Sequence, residues 1–302
     1  MNRFLPSVGL RVLSISLALG AICSACGGKA SNKEKSGDMR QVAEVQSAGP
    51  TISCYDVREP AAEIKMPNSL EEVSGIAHYK GDTVVMVQDE KGFVYFYDLS
   101  VRAVVKKEHF YKAGDYEGVT VVGDDIYVTN SKGDIFFFDA RTYNGLHGNV
   151  QQTRLTKDHN VEGLTKLNND SLLVALKGSP KKKALVRNVY SFDLKSKKMS
   201  KEPYLVVDPE EIAEFIGERR LIKPSGVAVH PLTGDIYILA HIGKVLAVYD
   251  RDSRQLKQVQ RLSRKQHRQP EGICFMPNGD MLIANEGDGK HGRVYIYDYL
   301  CD

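Results

Sequence analysis

Residues 269–288, QPEGICFMPNGDMLIANEGD, set a Glu-Gly pair before a short apolar run, a turn and a second apolar run. The same phrase recurs along the chain: EVSGIAHY at 72–79, DYEGVTVV at 115–122, NVEGLTKL at 160–167, KPSGVAVH at 223–230 and PEGICFMP at 270–277. Its glycines, Gly75, Gly118, Gly163, Gly226 and Gly272, are spaced by 43, 45, 63 and 46 residues. Each phrase leads into a turn and a second apolar run: GDTVVMVQDE, GDDIYVTN, NDSLLVALK, GDIYILAH and GDMLIANE. A third alternating run then ends on an aromatic residue and an acid, at Asp98, Asp139, Asp193, Asp250 and Asp298.

Short runs with period-two alternation, separated by Gly, Asn and Asp turns, specify antiparallel strands. A unit of about 45 residues carrying four such strands is one blade of a β-propeller. The chain is therefore all-β, and its five marks predict five four-stranded blades, with six as the alternative count. The long interval holds an insertion rather than a missed blade, since two whole blades would need about 90 residues. Within it DPEEIAEFIGERR, 208–220, predicts one short helix, with Asp208 as cap, Pro209 at the first position, acids early and arginines late.

The two ends of the chain complement each other. The last blade has three runs and no fourth, while residues 61–66 form a strand with no blade of their own. The N-terminal strand is thus expected to close the ring as the outer strand of the last blade. That closure places Cys54 and Cys301 in one neighbourhood, where a disulfide would lock it. Cys274 stands inside the apolar run ICFM and reads as a small core residue.

Residues 1–25 read as an export signal, with Arg3 and Arg11 before an apolar stretch from Val12 to Ile22. Ser24-Ala25-Cys26 resembles a bacterial lipobox, which makes Cys26 the lipidated residue; Cys23, standing where Leu is usual, is the alternative cleavage point. Residues 26–50 are polar and read as a flexible tether, leaving 51–302 for a single propeller domain. Gly27 follows the anchor in place of the Asp that retains lipoproteins at the inner membrane, which points to the outer membrane of a bacterial envelope. Of 41 basic residues Arg3 and Arg11 leave with the signal, so the mature chain sets 39 against 38 acids. Near-neutrality together with export argues against nucleic acid as a partner. Lys181-Lys182-Lys183 reads as a solvated loop tip.

Strand alternation puts the loop entering each first strand and the loop leaving each second strand on one face. Two polar rings are expected there: Ser74, Glu117, Glu162, Ser225 and Glu271, and beside them Asp89, Asn130, Lys177, His241 and Glu286. Each glycine serves the backbone, either at positive φ or where blades crowd near the axis. The glutamates have two readings, as inter-blade hydrogen-bond acceptors or as ligand contacts. Three carboxylates converging on a narrow channel would repel one another, and Ca2+ or Mg2+ held by Glu117, Glu162 and Glu271 would relieve that cost. No GxSxG, HExxH or phosphate-binding loop is present, so no catalytic residue is assigned.

The serial order Ser-Gly, Glu-Gly, Glu-Gly, Ser-Gly, Glu-Gly, opening on EVSGIA and closing on QPEGICFMPNGDMLIANE, resembles the SdiA-regulated (YjiK-like) family. The similarity runs from about Tyr55 to Asp298. It implies a propeller attached to or exported across the bacterial envelope, and no particular chemistry. Single phrases of this kind also occur in NHL-repeat proteins and SMP-30-like lactonases. Two functions follow as expectations: a membrane-anchored, non-enzymatic propeller whose axial face binds a small ligand, a cation or a protein partner, and, as the alternative, a metal-dependent hydrolase of the lactonase type. Lys177 and His241 would crowd positive charge beside a metal, which favours the first.

Overall fold

The computed structural model describes residues 52–145, 148–181 and 184–301. Residues 1–51, with the export signal, Cys26 and the tether, lie outside the described residues, as do Lys182 and Lys183. Five antiparallel sheets follow one another along the chain. Their inner strands are Val73–Lys80, Tyr116–Val122, Val161–Asn168, Lys223–Val229 and Pro270–Phe275. Each carries one of the repeated phrases, so the five glycine marks and the five blades coincide.

The inner strands touch one another around the axis, and glycine makes that possible. A Cβ on Gly75 would lie 2.9 Å from the Glu117 carbonyl oxygen and from Val119 N, and one on Gly118 would lie 2.8 Å from Leu164 N and Cβ. The series continues from Gly163 to Val227 and from Gly226 to the Glu271 carbonyl, and Gly272 closes it on Ile76. None of these five glycines has positive φ. Of the two roles open from sequence, close approach of backbones is therefore the operative one.

Apolar residues on the two faces of each sheet pack against the neighbouring sheets. In the first blade Val84 and Met86 join a cluster shared with the last blade, while Val85 and Val87 join one shared with the second. Alternation in these strands thus buries both faces, and the core is a set of five layers between blades. Cys274 is a buried free thiol within one of them.

The ring closes as the sequence predicts. Ala62–Lys65 pairs antiparallel with Arg293–Tyr297, with Ile64 opposite Val294. Cys54 and Cys301 are disulfide-bonded, with Cα atoms 5.0 Å apart, and the Leu300 N–H donates to the Cys54 carbonyl at 2.9 Å. Tyr55 anchors the same segment through hydrogen bonds with His230 and the Gly279 carbonyl.

Two details depart from expectation in the long interval. The outer strand of the third blade is split into Lys198–Met199 and Leu205–Val207, both paired with Arg187–Asp193. The helix spans Pro209–Ile216 instead of reaching residue 220. Asp208 caps it by accepting from Glu210 N–H at 2.9 Å, but Gly217 adopts φ 72° and ends it before Arg219 and Arg220. The late arginines complement charge from outside the helix, Arg219 bonding Glu210 at 2.6 Å.

Gly118→Ala is expected to destabilise the domain by about 1–3 kcal/mol through overpacking. Gly148→Ala, where the nearest atom is 3.4 Å away and φ is not positive, serves as the control in urea unfolding. Cys54→Ser is expected to cost about 2–4 kcal/mol and to lower Tm by roughly 5–15 °C in thermal melts.

Candidate axial binding site

Each repeated phrase contains a β-bulge at the same place. Strand register skips between Val73 and Gly75, Tyr116 and Gly118, Val161 and Gly163, Pro224 and Gly226, and Pro270 and Gly272. The residues skipped are Ser74, Glu117, Glu162, Ser225 and Glu271. A bulged residue has no ladder partner and is re-aimed out of the sheet. Here all five line one axial channel together with the five glycines. Its free volume is about 10 Å³, room for roughly one water-sized group.

The ring members divide by chemistry. Ser74 Oγ donates to the Tyr116 carbonyl at 2.7 Å and Ser225 Oγ donates to the Pro270 carbonyl at 2.6 Å. Both serines therefore stitch one blade to the next. Glu162 is buried, accepting from Lys177 Nζ at 3.0 Å and from Asn160 Nδ2 at 2.7 Å. Glu271 is also buried; its Oε1 meets His241 Nδ1 at 2.7 Å, while its Oε2 is buried with no hydrogen-bond partner. Asp89 Oδ1 is in the same state. An orphaned, desolvated carboxylate oxygen is costly, so each of these two calls for a donor from outside the protein.

Burial, and then the neighbouring Glu162 carboxylate, push Glu117 well above the usual carboxylate range. Glu162 is raised as well, by burial, with Lys177 pulling the other way. Burial works against the charge on Lys177, yet Glu162 and Glu271 together hold its pKa above the ordinary lysine value. Farther out, burial and then Glu271 raise Glu286 to about 7, and burial and then Glu72 raise Asp89 to about 6. The mouth thus holds more acid than its resident bases neutralise.

The second ring needs one correction. Gly75 pairs with Val87, Gly163 with Ala175, Gly226 with Leu239 and Gly272 with Ala284, so Asp89, Lys177, His241 and Glu286 each stand two residues past the pairing position. Gly118 pairs with Thr129, and the equivalent residue is Ser131 in place of Asn130. Asn130 instead closes a hairpin turn, accepting from Asp134 N–H at 2.9 Å. Ser131 donates to Asp115.

Asp115 belongs to a third polar set that sequence reasoning missed: Glu72, Asp115, Asn160, Lys223 and Gln269, each two residues before a ring member. Asn160 bonds Glu162, Gln269 bonds Glu286 at 2.8 Å, and Asp115 raises the pKa of Glu117, Glu162 and Asp89. The signal was a polar residue at one fixed offset in all five phrases.

The expected divalent-cation set does not fit. Among the described residues no three His, Cys, Asp or Glu side chains form a group able to hold a metal ion. The place a cation would take at Glu162 is filled by the ammonium of Lys177.

No protein-family model matches the chain, and no curated protein matches it. Among solved structures, the Myxococcus xanthus glutaminyl cyclase is similar with a TM-score of 0.56 and 14% identity, over 81% of this chain and 97% of that one. The luciferin-regenerating enzyme matches with a TM-score of 0.49 and 10% identity, over 80% and 95%. The WD40 propeller domain of Doa1 matches with a TM-score of 0.43 and 11% identity, over 73% and 62%. The first likeness supports the propeller fold, and at this identity it bears on fold alone.

A carboxyl group with a raised folded pKa binds its proton more tightly in the native state than in the unfolded one. Its stabilising contribution is complete below the unfolded pKa and is lost as pH rises through the folded value. For Glu286 that window runs from 4.5 to about 7. Tm is therefore expected to fall across this range in wild-type protein and to fall less steeply in Glu286→Gln, as read by thermal melts at stepped pH.

Proposed function

We propose that this chain is an exported, lipid-anchored propeller of the SdiA-regulated type whose axial face binds a ligand through a positively charged amine. The partnerless Oε2 of Glu271, buried beside a set of carboxyl groups raised by burial and mutual repulsion, is the observation that carries this reading. An N–H donor bearing positive charge satisfies the orphaned oxygen and relieves the excess of acid at once. Channel size favours the same chemistry, because about 10 Å³ admits an ammonium head and no ring system. Lys177 is an internal precedent, a side-chain ammonium already seated against Glu162 at 3.0 Å. The rest of the ligand would lie on the polar mouth formed by Asp89, Ser131, His241 and Glu286. Lipidation at Cys26 would tether the propeller to a membrane surface.

Binding is preferred to hydrolysis because the axial acids are occupied by Lys177 and His241 rather than arranged around a metal. Titration calorimetry of the exported protein with n-butylammonium, n-butanol, butyrate and Ca2+ separates the cases. Butylammonium is expected to bind in preference to the other three, with Glu271→Gln weakening it about ten-fold. Its affinity is expected to rise from pH 5 to pH 8 as Asp89 and Glu286 ionise. Equal binding of butanol, preference for Ca2+, or turnover of lactone or phosphoester substrates would overturn the proposal.

A further inference from the structure

The five inner strands run parallel to the axis, so the acid mouth occupies one end of it and their C-terminal halves line the other. At that second end lies a cavity of about 370 Å³, lined by residues of all five inner strands, including Ala77, Val121, Leu164, Val229 and Phe275. Between the two ends the Gly-ring crowds the backbones, leaving the 10 Å³ channel. The two ends are therefore separate compartments for anything larger than water.

Their charges are opposite. The lining of the second cavity includes Lys166, Arg251, His78 and His230 and no Asp or Glu. Among the described residues no carboxylate pairs with Lys166, which is half-buried at the cavity wall. Its backbone is fixed by donation from Lys166 N–H to Thr120 Oγ1 at 3.0 Å, and Thr120 is itself a buried lining residue. Arg251 lies over Gly234 at the rim, 3.5 Å from the position of a Cβ there, and its ion pair is with the exposed Asp252. His230 is a fixed part of the floor. Its Nδ1 accepts from the Leu232 and Thr233 N–H groups at 3.2 and 3.1 Å, which leaves Nε2–H for Tyr55 Oη at 2.7 Å.

We infer that this cavity is a second binding site, for a small molecule with an anionic oxygen head and an apolar body. Lys166 and Arg251 receive the head, and the apolar floor around Val121, Leu164, Val229 and Phe275 receives the body. The volume lies within the usual range of small-ligand pockets, about 300–1,000 Å³. A half-buried cation without a resident carboxylate is the counterpart of the orphaned acid at the other end, and it selects for the opposite charge.

The test uses the exported protein and four matched probes: hexanoate, hexyl phosphate, hexan-1-ol and hexylammonium, titrated by calorimetry. At least one anion is expected to bind about ten-fold more tightly than hexanol, the value of one charge-assisted hydrogen bond. The better anion tells a carboxylate head from a phosphate head. Lys166→Gln and Arg251→Gln are each expected to weaken that anion several-fold with Tm unchanged, while Lys195→Gln on the exposed surface leaves it intact. Glu271→Gln is expected to leave anion binding unchanged, so loss of the amine site and loss of this one are read separately. Equal binding of hexanol and the anions, absence of binding by either anion, or full affinity in Lys166→Gln would overturn the assignment.

Discussion

The contact on which this molecule depends is the approach of one inner strand to the next at five glycines. With Cβ positions only 2.8 to 3.0 Å from the nearest atom of the neighbouring blade, no other residue fits without displacement. Closing five sheets on so small an axis brings their inner strands this near. The same geometry explains the bulge before each glycine. A strand that must press its backbone against its neighbour at one residue and keep pairing with its own sheet at the next absorbs the mismatch as one unpaired residue. Those unpaired residues are the ones whose side chains surround the channel.

Structure and function therefore share one device. Where the bulged residue is serine, at positions 74 and 225, its hydroxyl bonds the next blade's carbonyl and the ring is stitched. Where it is glutamate, a carboxylate is carried into a crowded, poorly solvated place. Burial and mutual repulsion hold Glu117 and Glu162 above the ordinary carboxylate pKa, which is a cost to folding at neutral pH. A purely structural ring could have used serine throughout. The glutamates are thus the residues that stability alone does not explain, and their charge is opposite to that of the cavity at the far end of the axis.

Much of this was legible in the residues. The repeated phrase carried the blade count, and the unpaired strand at 61–66 carried the mode of closure. The first polar ring was legible because it stands at a fixed offset from glycine. The second was misread at one position, since ends of apolar runs were used where paired register was needed; that register replaces Asn130 with Ser131. Helix length was overread because charge was weighed and the left-handed Gly217 was not. Lys177 and His241 were legible as neighbours but not as partners of Glu162 and Glu271, since a pairing across two loops depends on side-chain reach. The far cavity left no motif: its lining is scattered through strand halves that look like ordinary core.

The central claim is that Glu271 offers its free oxygen to an ammonium group. A crystal structure of the protein grown with methylammonium at a pH above the Glu286 transition tests it most directly. The account predicts a methylammonium nitrogen within hydrogen-bond distance of Glu271 Oε2, with Glu162 still bound to Lys177. An ordered anion at that oxygen, or a Glu271 carboxylate turned away and satisfied by the protein's own donors, would contradict it.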